Sequence, residues 1–412
     1  MHHSANSIPS RLLMWRRVRE YAVPPSMIET ATVRRLVGDW AGACAAARVD
    51  ADLDLRAVRD RHGGELASQV RADLRRLAPD LLRWHMPRIA PDGRLRPGLT
   101  VPLARYGALQ LVVRTPPGWA DAGQRMSLAL WEPGAPGNHP SRRFRLDLHR
   151  HLWDSSRYDE LACRVGGQPL WAVEAELLLG RSSGLFTVRL DARKYAVLEL
   201  IAAGNVATIG MARRPVAAML PEASVRVLPD LELLQAGLIA SDQLHPLVAA
   251  VLPAVEASAP LSVDPHQVEC RGEIHRIALR DGVLAAVDHD PAQLRREELL
   301  AALGGPVLPC LQAIDAAHRD PDQLPGIRDR IVHGDIDGAL TAVESLLGPG
   351  AIMRDGPLRE ELELAAARRI DHGLFRAQLH VARKASSPGG FDRRTRAALR
   401  PKRGRHPSTQ TW

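Results

Sequence analysis

The chain has 412 residues, of which 45% are hydrophobic, 25% charged and only 4% aromatic, with a formal net charge of +8. Such proportions fit an ordinary globular protein of about two to four domains, its core built mostly from Leu, Val, Ala and Ile. Four scattered cysteines (Cys44, Cys163, Cys270, Cys310) give neither a disulfide framework nor a zinc ribbon, and no apolar run reaches membrane-spanning length.

Residues 1–26 differ in character from the rest of the chain and contain no signal-peptide core, so Met27 is the expected start of the folded chain and 1–26 an appendage. From residue 27 to 90 the apolar spacing is helical, with Pro79-Asp80 marking a break and restart. A β-rich domain is expected over 91–205. GLTVPLARY, ALQLVVRT, RMSLALW and RFRLDLHRHLW read as strands of one antiparallel sheet, separated by Pro/Gly turns and extended by strands near 171–179, 185–190 and 195–201. Residues 206–262 form a helical connector. Over 263–385 a β-meander, with Asp281-Gly282 as its hairpin turn, leads into helical hairpins, the first opened by Asp290-Pro291. The fold class is therefore α+β.

A weak internal repeat stands out. Arg34-x-x-x-Gly38-Asp39-x-x-Gly42-Ala43 matches Arg330-x-x-x-Gly334-Asp335-x-x-Gly338-Ala339. Glycine in the left-handed conformation ends one helix, aspartate caps the next, and the small residues allow close packing. These units resemble the α-hairpins of tetratricopeptide-like repeats over a few dozen residues, but lack that family's large aromatic positions; a generic helical hairpin accounts for them.

The positive charge is localised. From Arg383 onward nine basic residues face Asp392 alone, which equals the whole +8, and residues 1–26 contribute +3, leaving 27–382 at −3. All basic side chains other than Lys194, Lys384 and Lys402 are arginine, as a GC-rich bacterial genome would give. Residues 386–412 combine Pro, Gly, Ser and like charge, and read as a disordered basic tail able at most to touch nucleic acid non-specifically.

Two polar constellations are candidate sites. On a strand, Arg145, Asp147, His149 and His151 would share one face, and Asp147, His149, His151 and Asp154 could bind a divalent metal for assisted hydrolysis. The plain alternative is a solvated strand face. His275, Asp288 and His289, with Glu273, form a second acid/base candidate, although Asp290 next to them already serves as a helix cap. His85, His245, His318, His333 and His372 fall near helix ends. Walker, dinucleotide-binding, G-x-S-x-G and H-E-x-x-H motifs are absent. No cofactor is implied, and the near-neutral body favours a non-catalytic cytoplasmic interaction or scaffold protein with an unidentified protein partner and no membrane association. A broad arginine-lined groove on that body would count against this expectation.

Overall fold

The computed structural model describes residues 10–134, 139–164, 170–201, 204–252, 267–270, 273–280, 283–286, 290–303, 309, 311, 323–347 and 356–377. The chain divides into two compact units, 1–372 and 373–412. The fold is α+β.

Residues 10–26 belong to the core, correcting their reading as an appendage. Helix α1 (Ser10–Arg17) runs into a π-helical turn (Val18–Ala22), then α2 (Pro25–Leu36). Val18, Ala22 and Val23 are completely buried. The stretch escaped notice because its inward residues are few and set among arginines.

The helical pattern then continues through α3 (Trp40–Ala46), α4 (Leu55–His62), α5 (Gly64–Arg76) and α6 (Pro79–His85), interrupted by a short strand β1 (Val49–Ala51). Pro79 opens α6, as the sequence indicates. Strands β2 (Arg88–Ile89) and β3 (Arg94–Leu95) form a small ribbon. β4 (Thr100–Tyr106), β5 (Leu109–Arg114) and β6 (Met126–Trp131) form the expected antiparallel meander, and β1 adds to β6 in parallel.

The anticipated single sheet is in fact two. Residues 171–179, expected as a strand, form α7 (Trp171–Leu179), ended by Gly180 in the left-handed conformation. Its Val-Glu-Ala-Glu-Leu centre alternates like a strand, but Ala, Leu and Glu are strong helix formers and outweigh so short a period. β7 (Gly184–Arg189), β8 (Tyr195–Ile201) and β9 (Asn205–Ala212) then build a second meander, with β10 (Ala218–Met219) parallel to β7. β9 lies in the stretch expected to be a helical connector. It forms one edge of this sheet and exposes Val206, Ile209 and Met211.

Helices α8 (Glu222–Val225), α9 (Pro229–Gln235) and α10 (Pro246–Ala249) return to the first sheet. One large core joins residues from Val18 to Leu161 with Leu228 to Leu252, so the helical unit, the first sheet and the connector are one body. The second sheet and α7 enclose a separate, smaller core around Phe186 and Leu198.

The meander β11 (Gln267–Cys270), β12 (Glu273–Arg280) and β13 (Val283–Ala286) brings Arg280 opposite Val283, the pairing a two-residue hairpin requires. Asp290 caps α11 (Pro291–Ala302) by accepting the Ala292 N–H at 3.2 Å. α12 (Gln323–Val332), α13 (Ile336–Leu347) and α14 (Pro357–Arg376) complete the described chain. The basic tail, 386–412, lies outside the described residues.

The internal repeat is one physical device used twice. Gly38 and Gly334 have φ of 78° and 83°. Asp39 accepts the Gly42 N–H at 2.8 Å and Asp335 the Gly338 N–H at 3.3 Å. Arg34 reaches Asp39 at 3.2 Å, as Arg330 reaches Asp335 at 2.9 Å. A Cβ at Gly42 or Gly338 would overlap the capping carboxylate, which is why glycine recurs there.

The surroundings of the two turns differ. Gly38 faces open space, whereas a Cβ on Gly334 would collide with the Gly123 backbone. Gly334→Ala should therefore lose about 2–4 kcal/mol, combining left-handed strain with overpacking. Gly38→Ala should lose only about 1 kcal/mol. Urea midpoints measure both; equal losses would contradict the close approach.

Candidate functional site

The segment 145–154 is not a strand, which corrects the geometry of the proposed metal face. Turn-type hydrogen bonds run from His149 N to Leu146 O (3.1 Å) and from Leu152 N to His149 O (3.1 Å), and Arg150–Leu152 form a 3-10 turn. Trp153 drives this. Its indole is completely buried and donates to Leu146 O at 3.0 Å, curling the chain around it. His151, Leu152, Trp153 and Asp154 are consecutive and all buried, which an alternating strand cannot achieve.

His149 and His151 do come together, their rings edge-to-face at 5.6 Å between centroids. The acids do not join them. Asp147 accepts from Arg145 (2.7 Å) and Arg105 (2.8 Å), and Asp154 from Arg150 (2.9 Å) and Ser156. Among the described residues no group of three or more His, Cys, Asp or Glu could hold a metal ion. Of the second constellation, His275 sits on β12 opposite Val268, while Asp288 and His289 lie outside the described residues.

His149 instead anchors a buried network that the sequence did not reveal. Its Nδ1 faces the Arg145 carbonyl at 3.2 Å. Its Nε2 meets Ser224 Oγ at 3.0 Å and Glu174 Oε2 at 3.0 Å. Ser224 also donates to Glu174 at 2.9 Å, and Arg164 grips both oxygens of Glu174 at 2.8 Å. Burial opposes ionisation of Glu174, but the His149 hydrogen bond and the His149 and Arg164 charges prevail and hold its pKa at about 2. Ser, His and Glu do not make a catalytic triad here: serine and carboxylate share one ring nitrogen, and Ser224 is buried.

Above this network opens a cavity of about 360 Å³. Its walls come from α1 (Met14, Trp15), the π-helical turn, the end of α6, residues 143–146, the 3-10 turn and the α8–α9 segment. Apolar faces of Trp15, Phe144, Leu146, Leu152 and Leu228 alternate with eight arginines: Arg11, Arg19, Arg88, Arg96, Arg143, Arg145, Arg164 and Arg226.

Six carboxylates answer these eight guanidiniums, Glu160 lying 3.9 Å from Arg164 beside the five named next. Arg11 pairs with Glu232, Arg19 with Asp230, Arg145 with Asp147 and Arg164 with Glu174, while Arg143 and Arg226 share Glu222. Arg88 and Arg96 form no ion pair among the described residues. Arg88 donates to the Arg83 carbonyl at 2.7 Å, and burial lowers its pKa to about 9. Arg96 lies near the Phe144 ring, 5.7 Å from its centroid; burial, then Arg143 and Arg189, lower its pKa.

Two imidazoles complete the lining. His85 Nδ1 faces the carbonyls of Leu81 (3.1 Å) and Leu152 (3.2 Å), leaving Nε2 buried without a hydrogen-bond partner, as is Nδ1 of His151, which lies 4.0 Å from Glu160. Burial above all, opposed by Asp230 and aided by Arg19, brings His85 to about 4; burial, then the nearby His149 and Arg164, brings His151 to about 2.

No protein-family model matches the chain, and comparison with curated proteins and with solved structures finds no match.

Both imidazoles are thus neutral in the folded protein where unfolded histidine takes a proton, below about pH 6.5. Unfolding then takes up protons, so stability should fall with pH from about 6.5 downward, by up to about 1.4 kcal/mol per pH unit for each histidine. The His85 contribution levels off near pH 4 and that of His151 near pH 2. Loss of the Glu174 contribution begins below its ordinary 4.5. Urea titrations from about pH 7 to about pH 5 measure the slope. His151→Gln should flatten it; a slope equal to wild type would contradict the assignment.

Proposed function

We propose that this chain is a ligand-binding protein whose cavity receives a small organic anion with an apolar body. The observation that carries this is Arg96, a guanidinium on the cavity wall with no carboxylate partner among the described residues, set against Phe144. The cavity volume of about 360 Å³ is in the range of small-molecule sites, about 300–1,000 Å³, as are the mostly apolar walls and a few converging polar groups with shifted pKa values. Recognition divides between the two kinds of surface: rings and aliphatic side chains take the ligand body, and the surplus arginines its carboxylate or phosphate.

The scaffold expectation rests on a near-neutral body, but net charge over a long stretch averages away a local surplus. Metal-assisted hydrolysis draws less support, because Asp147 and Asp154 are engaged by arginines and by the turn itself. A protein partner is a second reading, favoured by the edge position and exposed apolar residues of β9. It predicts that Ile209→Lys abolishes co-purification of a protein retained by wild type; unchanged co-purification removes it.

Calorimetric titration with phenyl phosphate and benzoate, with benzyl alcohol as the uncharged control, tests the anion site. At least one anion should bind and the alcohol should not. Arg96→Met keeps the apolar stem but loses the charge, and should weaken binding roughly 10- to 100-fold, the scale of a charged hydrogen bond, with little change in Tm. Binding indifferent to Arg96→Met, or absence of binding by either anion, would falsify the proposal.

A further inference from the structure

A second cationic centre adjoins the cavity and shares Arg88 with its wall, while Arg83 and His333 do not line it. Arg83, on α6, is completely buried. Its Nε donates to Ala22 O at 3.0 Å and its Nη1 to Gln124 O at 2.7 Å and Ala47 O at 3.4 Å. Its Nη2 is buried with no hydrogen-bond partner. The charges that act on it are mostly of its own sign: Arg48, Arg88 and Arg125 against Asp121, which is itself paired with Arg94. Among the described residues Arg83 forms no ion pair.

Two further groups near it are in the same condition. His333, following α12, is completely buried, and neither ring nitrogen has a hydrogen-bond partner. The Nε of Arg88 is also buried and unpartnered. Arg83 and Arg88 both lie close enough to act on the His333 ring, and Arg88 on Arg83, and backbone contacts tie the three stretches together. Arg88 Nη2 donates to Arg83 O (2.7 Å), and Arg83 reaches the carbonyl of Ala47. The next residue, Arg48, donates to His333 O (2.8 Å). The Asp92 peptide approaches the His333 ring without closing a hydrogen bond of good geometry, and Arg88 Nη1 touches Gly93 O (3.4 Å).

Buried donors left unsatisfied are destabilising, and a buried charge without a counter-charge more so. Carbonyl dipoles offset part of this for Arg83, but they supply no negative charge. The deficit would be met by an anion drawn from solvent. It must shed its water, and that penalty rises with the square of its charge, so a monovalent ion is favoured over phosphate or sulfate. We propose that the protein binds one small monovalent inorganic anion, of the halide class, against Arg83 Nη2, Arg88 Nε and the His333 ring. A water molecule there would satisfy the donors and leave the charge unmatched. The site shares Arg88 with the cavity wall but not Arg96, so Arg96→Met should leave the response to the small anion unchanged and separates the two proposals.

Wild-type crystals grown in sodium bromide, with anomalous data at the bromine edge, locate the ion directly. A bromide peak within hydrogen-bond reach of Arg83 Nη2 and His333 is the expected result; water density alone, or no density, overturns the proposal. In solution, Tm should rise saturably by a few degrees in sodium chloride relative to sodium gluconate at equal ionic strength, as binding linkage requires. Arg83→Met and His333→Phe should each abolish that difference. An identical response to both salts in wild type also overturns the proposal. Should either variant fail to fold, the bromide experiment on wild type still decides.

Discussion

The site stands on one buried ion pair, Arg19 with Asp230. Both charged groups are shut off from water, and the contact is two-pronged, at 2.8 and 2.7 Å. The third guanidinium nitrogen of Arg19 donates to Trp84 O (2.7 Å), while the Trp84 indole returns a hydrogen bond to Asp230 (3.0 Å). The guanidinium also stacks over Trp84, 4.3 Å from the ring centroid. Charge-assisted, two-pronged bonds repay the loss of water best when no buried polar atom is stranded, and here each guanidinium nitrogen and both carboxylate oxygens have a partner. The pair joins three stretches far apart in the chain: the π-helical turn, the end of α6 and the start of α9. Those stretches carry much of the cavity wall, so its shape depends on this tie.

Beneath the 3-10 turn a second buried polar network, His149, Glu174, Arg164 and Ser224, connects the turn to α7 and α8. Arg164 belongs to both this network and the cavity lining. The rim is therefore not a set of free surface arginines. Most are clamped by carboxylates and so hold their geometry before any ligand arrives, the condition under which a few uncommitted donors contribute most to recognition.

Local rules were legible in the sequence where one segment decides its own shape. The Gly-Asp turns at 38–39 and 334–335, the meander at 100–131 and the Asp290 cap all follow from side chains a few residues apart. Legibility failed where a distant partner decides. Arg145 to His151 alternate like a strand, yet burial of Trp153 curls them, and the alternating Val-Glu-Ala-Glu-Leu of α7 reads as a strand although the segment is helical. Residues 10–26 look like an appendage until Asp230 is seen to receive Arg19 across 211 positions. Ser224, Glu174 and Arg164 form no local motif. Only the fold brings them to His149.

The curled turn has a consequence for how this chain can change over generations. His151, Leu152, Trp153 and Asp154 include no residue that faces water. A segment of that kind has no neutral position at which to record drift, because each replacement alters interior volume or strands a polar atom. Among descendants of this sequence the tetrapeptide should diverge slowly, as should the longer buried run of residues 77–84, whatever occupies the cavity above it.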